Sequence, residues 1–410
     1  MMQELTLNER LLILSETIRM TEKAFAHWES ATITPDELGE AAKEFFDKAA
    51  AAENRADFQK VMWAYFGQLR NAHSNYIDRA APFPHGGVFP LSLLESDGSW
   101  LVKEDDTGLT HPGDMVVSIA GKSMNEWLNE MNQWARIADW RMMAGRLSVY
   151  FSHFYTKEQA DIELLNEQGN TRTVTLSRQP IDYNSHNNGD TSGKWLQQDK
   201  IAYIHIPSFN HSRFEEKALE LIGEYQHASS IIIDVRGNGG GSMPGRLTHK
   251  LMNRPYRWWK EMARHPEFLC RRHPNAEISF TTDYRFSIFD PDYTQPSAET
   301  SYQGNVIILV DRFTGSAAED FTMQFIDNGR AIIIGERTYG STGQPLVQHF
   351  DDGNIVVLVG AIRSYFPNGD PFENVGIVPD IEVPVRREDL YQRRDRTLEK
   401  ALEVIKNASL

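Results

Sequence analysis

The 410-residue chain has a single cysteine, Cys270, so it can form no internal disulfide and build no cysteine-based zinc cluster. Long apolar runs are missing as well. No stretch approaches the roughly 18 to 20 apolar residues that cross a bilayer. Excess positive charge is also absent: 42 Lys and Arg stand against 57 Asp and Glu, for a net charge of −15. That balance disfavours nucleic acid as a partner, because phosphate contacts need clustered cations. The opening MMQELTLNERLLILSETIRM has no basic segment followed by an unbroken apolar run, since Glu4, Glu9 and Arg10 interrupt it. It therefore does not read as a secretory signal. Together these absences predict a cytoplasmic, soluble protein with no metal, no cofactor and no membrane partner.

What is present supports sizeable cores, with 40% hydrophobic and 11% aromatic residues, and the length predicts two or three domains. Residues 1–80 read as helical, with Leu11, Leu12, Leu14 and Ile18, then Phe45, Phe46, Phe58, Met62, Trp63 and Phe66, at helical spacing. Pro82, Pro84, Gly86, Gly87 and Pro90 break the chain. Residues 81–190 read as short strands, including a hairpin across Gln168-Gly169-Asn170 and a polar linker at 184–193. From 191 to 390, IAYIHIPSF, SIIIDVRG, NVIILVD and AIIIGE are apolar β-branched runs alternating with helical segments. Such runs imply a buried, mostly parallel sheet, hence an α/β class. Residues 256–303 are aromatic and irregular, and residues 391–410 belong to a charged terminal helix.

Two segments carry candidate chemistry. In VDRFTGSAAEDFTMQFI a strand ends at Asp311 and Ser316 opens a helix. Unpaired N–H groups and the helix dipole there favour a developing oxyanion. The bland alternative is an N-cap serine. In SIIIDVRGNGGGSMPG a strand runs into Gly239, Gly240 and Gly241, whose N–H groups suit an anion. A phosphate-loop Lys-Ser/Thr and the GxGxxG spacing are both absent, which disfavours nucleotide. An oxyanion hole made by Gly239, Gly240 and the N–H of Ala317 fits better. Glu319 and Asp320, in the first helical turn, read as complements to the dipole, and Asp234 and Arg236 as an ion pair.

ASSIIIDVRGNGGG, VDRFTGSAAEDF, IIIGERTYGSTGQPL and DPFENVGIVPDIEV occur in that order over about 150 residues. They resemble the C-terminal-processing peptidase family, which includes the tail-specific proteases and the core of the tricorn protease. GLTHPGDMVVSIAGKSMNEW is similar to the end of that family's PDZ-like module. The resemblance implies a crotonase/ClpP-like ββα catalytic domain at 191–390, a PDZ-like segment at 81–190 and a helical region at 1–80. It makes Ser316 the nucleophile of a peptidase acting on peptides or unfolded protein, and leaves a homo-oligomer open.

The tail-specific branch places a lysine base 25 residues after the nucleophile. Here that position is Ser341, and no lysine occurs between Lys260 and Lys400. The tricorn-like branch takes a histidine from ahead of the PDZ-like segment, and His73 in GQLRNAHSNYID matches it. Imidazole suits the task because its ordinary pKa lies near neutrality. Glu373 in DPFENVGIVPD matches that branch's glutamate. Where the tricorn pattern has a bridging serine before the histidine, this chain has Ala72, with Ser74 following. Either Ser74 substitutes, or Glu373 reaches His73 directly or through water. Two rival readings of the same fold stay open: a non-catalytic binder of hydrophobic ligands or peptides, and an ester or thioester hydrolase.

Overall fold

The structure, a computed structural model, describes residues 4–81, 87–105, 107–132, 147–180, 189–281, 286–297 and 299–408. Pro82, Pro84 and Gly86 of the expected break, and residues 184–188 of the expected linker, lie outside the described residues. Among those described, no helix is long and apolar enough to cross a membrane.

The apolar runs form one six-stranded sheet in the order Ile381–Glu382, Ala331–Gly335, Asn305–Val310, Ser230–Asp234, Ile201–His205, Ser192–Gln197. Its pairings are parallel except the last, as the runs predicted. The runs are continuous because both faces are covered. Ile231 and Ile233 pack with Phe214, Leu247 and Phe321 from three helices on one side. Ile232 and Ile307 pack with Ala401 and Ile405 of the helix Arg396–Ala408 on the other. The terminal charged segment is two helices, Arg387–Gln392 and Arg396–Ala408, because Arg393 turns left-handed at φ 51°.

A second sheet holds Ser92–Ser96, Ser99–Glu104, Met115–Ile119, Gln159–Leu165 and Thr171–Ser177, the last two forming the expected hairpin. It closes over its own core of Trp100, Ile119, Trp127, Phe151 and Ile162. The irregular aromatic region contributes Lys260–Ala263, Ile278–Phe280 and Ser287–Phe289, which join Ile362–Tyr365 in a four-stranded sheet. The result is a mixed α/β architecture with several sheets.

The N-terminal region folds as the helices Leu7–Ala24, Leu38–Ala51 and Arg55–Leu69. Thr6 and Glu9 close a capping box on the first, and the Asn54 side chain caps the third. Their apolar faces share a core with Ile355, Val357 and Val359, from the far end of the chain. The link is a strand, Asn75–Asp78, paired antiparallel with Ile355–Leu358. Arg55 secures it: its guanidinium is 2% exposed and holds both Asp78 oxygens at 2.8 Å, and Asp351 at 2.8 Å.

Removing one partner of such a buried pair leaves an uncompensated charge. Asp78→Ala should therefore lower unfolding stability by roughly 3 to 5 kcal/mol in urea titration. A loss below about 1 kcal/mol would mean that the pair does not hold this strand.

Candidate active site

Ser316 stands between the strand Asn305–Val310 and the helix Ala317–Asp327. Asp311 shapes the intervening turn, its Oδ1 accepting from the N–H groups of Gly237, Phe313 and Thr314. The backbone of Ser316 has φ 52° and ψ −125°, a conformation that non-glycine residues rarely adopt. Such a backbone persists only where the surroundings enforce it. Here the Ser316 N–H is held by the Ser341 carbonyl and by Glu319 Oε2, each at 3.1 Å.

His73 lies against this hydroxyl, its Nε2 3.4 Å from Ser316 Oγ. Its Nδ1 is 3.1 Å from Ser341 Oγ, which donates to Glu373 Oε1 at 2.9 Å. Ser316, His73 and Glu373 are thus brought together, and the hydroxyl between histidine and glutamate is that of Ser341. Ser74 is not that bridge. It donates to Asn71 Oδ1 at 2.9 Å and accepts from the Gly360 N–H at 3.0 Å, which fixes the segment to the neighbouring strand. The reason is alternation: Ser74 immediately precedes the strand Asn75–Asp78 and shares the inward face of Tyr76 and Asp78. Asn71 supports the carboxylate instead, its Nδ2 donating to Glu373 Oε1 at 3.0 Å. Burial pushes the Glu373 carboxyl up to about 7 against the pull of Ser341.

The glycine loop meets the serine closely. A Cβ on Gly240 would stand 2.7 Å from Ser316 Cβ and 2.8 Å from Ala317 N, at φ +99°. Gly240 does not offer its own N–H, which donates to Asn238 Oδ1 at 2.9 Å. This corrects the expectation for that residue: the Asn238 side chain, anchored to the Ile206 carbonyl, folds back under the loop. A cavity of about 1170 Å³ opens beside Ser316, and Gly241 and Ala317 are in its wall whereas Gly239 and Gly240 are not. Trp258, Trp259 and Phe289 from the formerly unplaced region line it too. Glu261 sets that wall by accepting from Trp259 Nε1, Arg272 Nε and His273 Nε2.

Glu319 and Asp320 are more than complements to a dipole, since both are buried. Glu319 accepts from Ser316 N, Thr338 Oγ1, Gly340 N and Ser341 N, tying the helix start to the loop that presents Ser341. Burial pushes it up to about 8 despite these donors. Asp320 accepts from Thr342 Oγ1 at 2.8 Å and is pushed up to about 7. Asp234 and Arg236 do pair, at 2.6 Å, with Asp395 completing the group. Ser341, Asn71 and Glu319 were not singled out as site residues from sequence. Only the loop position of Ser341 hinted at its place.

A serine with positive φ at a strand–helix junction, a histidine against its hydroxyl and a carboxyl one hydroxyl further on have the layout that nucleophilic catalysis uses. The family model for peptidase family S41 matches residues 200–383. Over those residues the chain is similar to S41 peptidases. The putative tricorn-like protease C-terminal subunit of Sulfurisphaera tokodaii is 25% identical over 206 residues, which are 50% of this chain and 21% of that protein. The chain thus spans about a fifth of that relative's length. Among solved structures, mature CPAF complexed with lactacystin superposes with TM-score 0.74 at 16% identity, over 98% of each chain. The photosystem II D1 C-terminal processing protease gives TM-score 0.53 at 18% identity, over 91% of this chain and 93% of that one.

Glu319→Ala would remove the acceptor shared by the buried donors Thr338 Oγ1, Gly340 N and Ser341 N, and a buried donor left unmade costs about 1 to 3 kcal/mol. The expected stability loss, read by urea unfolding, is at least about 3 kcal/mol. A variant within about 1 kcal/mol of the parent would show that Glu319 does not organise the loop.

Proposed function

We propose that this protein is a serine peptidase in which Ser316 Oγ attacks a peptide carbonyl and His73 is the general base. One observation carries the reading: the unbroken run of polar contacts from Ser316 through His73 and Ser341 to Glu373. Donor and acceptor logic gives that run a direction. Glu373 Oε1 accepts from Ser341 Oγ, so the one hydroxyl proton of Ser341 is committed there. Ser341 Oγ must then accept from His73, which puts the imidazole hydrogen on Nδ1. Nε2 is left as a lone pair facing Ser316 Oγ.

In the reaction, Nε2 takes the Ser316 proton as the Oγ–C bond forms. The imidazolium so produced is stabilised through Ser341 by Glu373. The Ala317 N–H, together with the backbone N–H of Gly239 or Gly241, receives the oxyanion. His73 then protonates the leaving amine, and water enters by the reverse route. Losing one oxyanion donor would raise the barrier by about 3 kcal/mol.

Peptide or unfolded protein is the substrate class favoured by the S41 match and by the processing protease among its structural relatives. On this reading residues 191–390 are a crotonase/ClpP-like catalytic unit, residues 81–190 a PDZ-like segment that presents chain to it, and assembly into a homo-oligomer a means of limiting access. A purely binding role is disfavoured, because a binder has no use for a strained serine with a directed base.

A fluorophosphonate probe should label the protein at Ser316 and fail on Ser316→Ala. Turnover of a peptide library should vanish in Ser316→Ala and in His73→Ala, both still folded. Ser341→Ala should lower kcat roughly 10²-fold with KM little changed, since a base loses orientation but the cavity is intact. Labelling of Ser316→Ala, or turnover of an acyl-CoA panel in preference to peptides, would overturn the proposal.

A further inference from the structure

Behind Glu373 lies a group that this reaction leaves unused. His27 is fully buried, just beyond the helix Leu7–Ala24. Its Nε2 is 3.2 Å from the Ile362 carbonyl oxygen. A carbonyl oxygen only accepts, so Nε2 carries a hydrogen. In the neutral ring Nδ1 is then a bare lone pair, and it lies 3.8 Å from Glu373 Oε2. Both Nδ1 and Oε2 are buried, and among the described residues neither has a hydrogen-bond partner of good geometry, although the Thr342 N–H also draws the Glu373 carboxyl down. Glu373 Oε1, by contrast, takes both Ser341 and Asn71. Two buried acceptors facing one another without a donor is a costly arrangement. A proton between them removes that cost, and hydrogen-bond length is reached by closing the gap about 1 Å.

We propose that His27 is a positioning residue for the acyl transfer described above, sharing one proton with Glu373 through Nδ1 and Oε2. The functional part of this rests on the peptidase reading, whereas the proton itself does not. The shared proton fixes which carboxyl oxygen turns toward Ser341 and relieves the buried site of a permanent negative charge. Among the described residues Arg363 and His73 are the other charged or titratable groups facing the pair; both oppose a cation on His27, and Arg363 also draws Glu373 down against the effect of burial. Arg363 is tied outward to Glu29 at 2.5 Å. Burial depresses His27 to about 3 and pushes Glu373 up to about 7. The proton therefore sits on the carboxyl and donates to Nδ1. For a carboxyl raised above its ordinary value, it is held below about pH 7 and lost above it. Once it is lost, the carboxylate supports the His73 imidazolium more strongly, so kcat rises through that range.

The test is infrared difference spectroscopy of the full chain against Glu373→Gln at about pH 6, below the raised carboxyl value. A protonated-carboxyl stretch is expected in the parent, disappearing near pH 7. In His27→Phe, which keeps a ring but removes the acceptor, the stretch should move to higher frequency. Its midpoint, and with it the rise in kcat, should fall by about one pH unit, because a hydrogen bond to the neutral form is lost. His27→Asn, with an amide oxygen near the Nδ1 position, should return the midpoint toward the parent. Absence of the band in the folded parent would overturn the proposal, as would a His27→Phe midpoint equal to the parent's. If His27→Phe does not fold, nitrogen-15 NMR of the parent decides. A bare Nδ1 on His27 supports the shared proton, and a hydrogen on neutral Nδ1 with a bare Nε2 sinks it. None of the spectroscopic readouts needs turnover. Failure of the peptidase reading would appear instead as lost fluorophosphonate labelling with the band still present.

Discussion

The pairing of Asn75–Asp78 with Ile355–Leu358 is the constraint on which the site depends. His73 and Ser316 are 243 residues apart, and no local interaction brings them together. The strand does so by register. Once Asn75 lies opposite Leu358, Ser74 is set to take the Gly360 N–H, and Asn71 to reach Glu373. A slip of one residue would turn every side chain of the segment to the opposite face. Arg55 and the shared apolar core beneath the pairing hold the register, so helices remote from the chemistry determine where the imidazole points.

A second tie acts at right angles to the first. Glu319 fastens the start of the serine helix to the loop 338–341, so Ser316 and Ser341 move as one body. The choice of residue at 341 follows. A lysine there would need a depressed pKa to act as base, which takes a dry site without neighbouring carboxylates. Glu373, 2.9 Å away, would hold such a lysine charged. A serine next to the same carboxyl carries no charge and passes orientation between two ionisable groups.

Legibility in the sequence followed the range of the forces involved. Ile231, Ile232 and Ile233 announced a buried parallel strand because both of its faces are covered, a property visible in three consecutive residues. Strand, turn and helix in a single stretch placed Ser316 at a helix start, and its role as nucleophile was read from likeness to a family. His73 and Glu373 were found by likeness to a family, since their partners are distant. Ser341 as the bridge was missed for a physical reason: its contacts lie 268 and 32 residues away, and a hydroxyl in a loop has no pattern of its own. Ser74 was the natural guess by adjacency, and strand alternation turned it inward. Glu319 looked like a surface complement to a dipole because nothing in AAED tells that the loop 338–341 will fold over it. The aromatic run 256–303 resisted reading since its strands are short and one of its sheet partners, Ile362–Tyr365, is far along the chain.

Three carboxyls, Glu319, Asp320 and Glu373, lie buried around Ser316, and burying an ion without compensation costs several kcal/mol, about as much as a small domain can lose. Fixed cations help only from a distance: Arg272 eases Asp320 and Arg363 eases Glu373, but Arg272 pairs directly with Glu261 and Arg363 with Glu29. The direct hydrogen bonds to the three carboxyls come from hydroxyls, an amide and backbone N–H groups. Neutral dipoles compensate a carboxyl without adding net charge that a reaction must work against. In the proposed reaction a permanent cation in direct contact would disfavour imidazolium at His73, and a permanent anion beside the serine would disfavour the oxyanion. On that reaction, dipoles already oriented by folding need no rearrangement when those charges form, and the stability given up to bury the carboxyls is the condition for a site that meets them without reorganising.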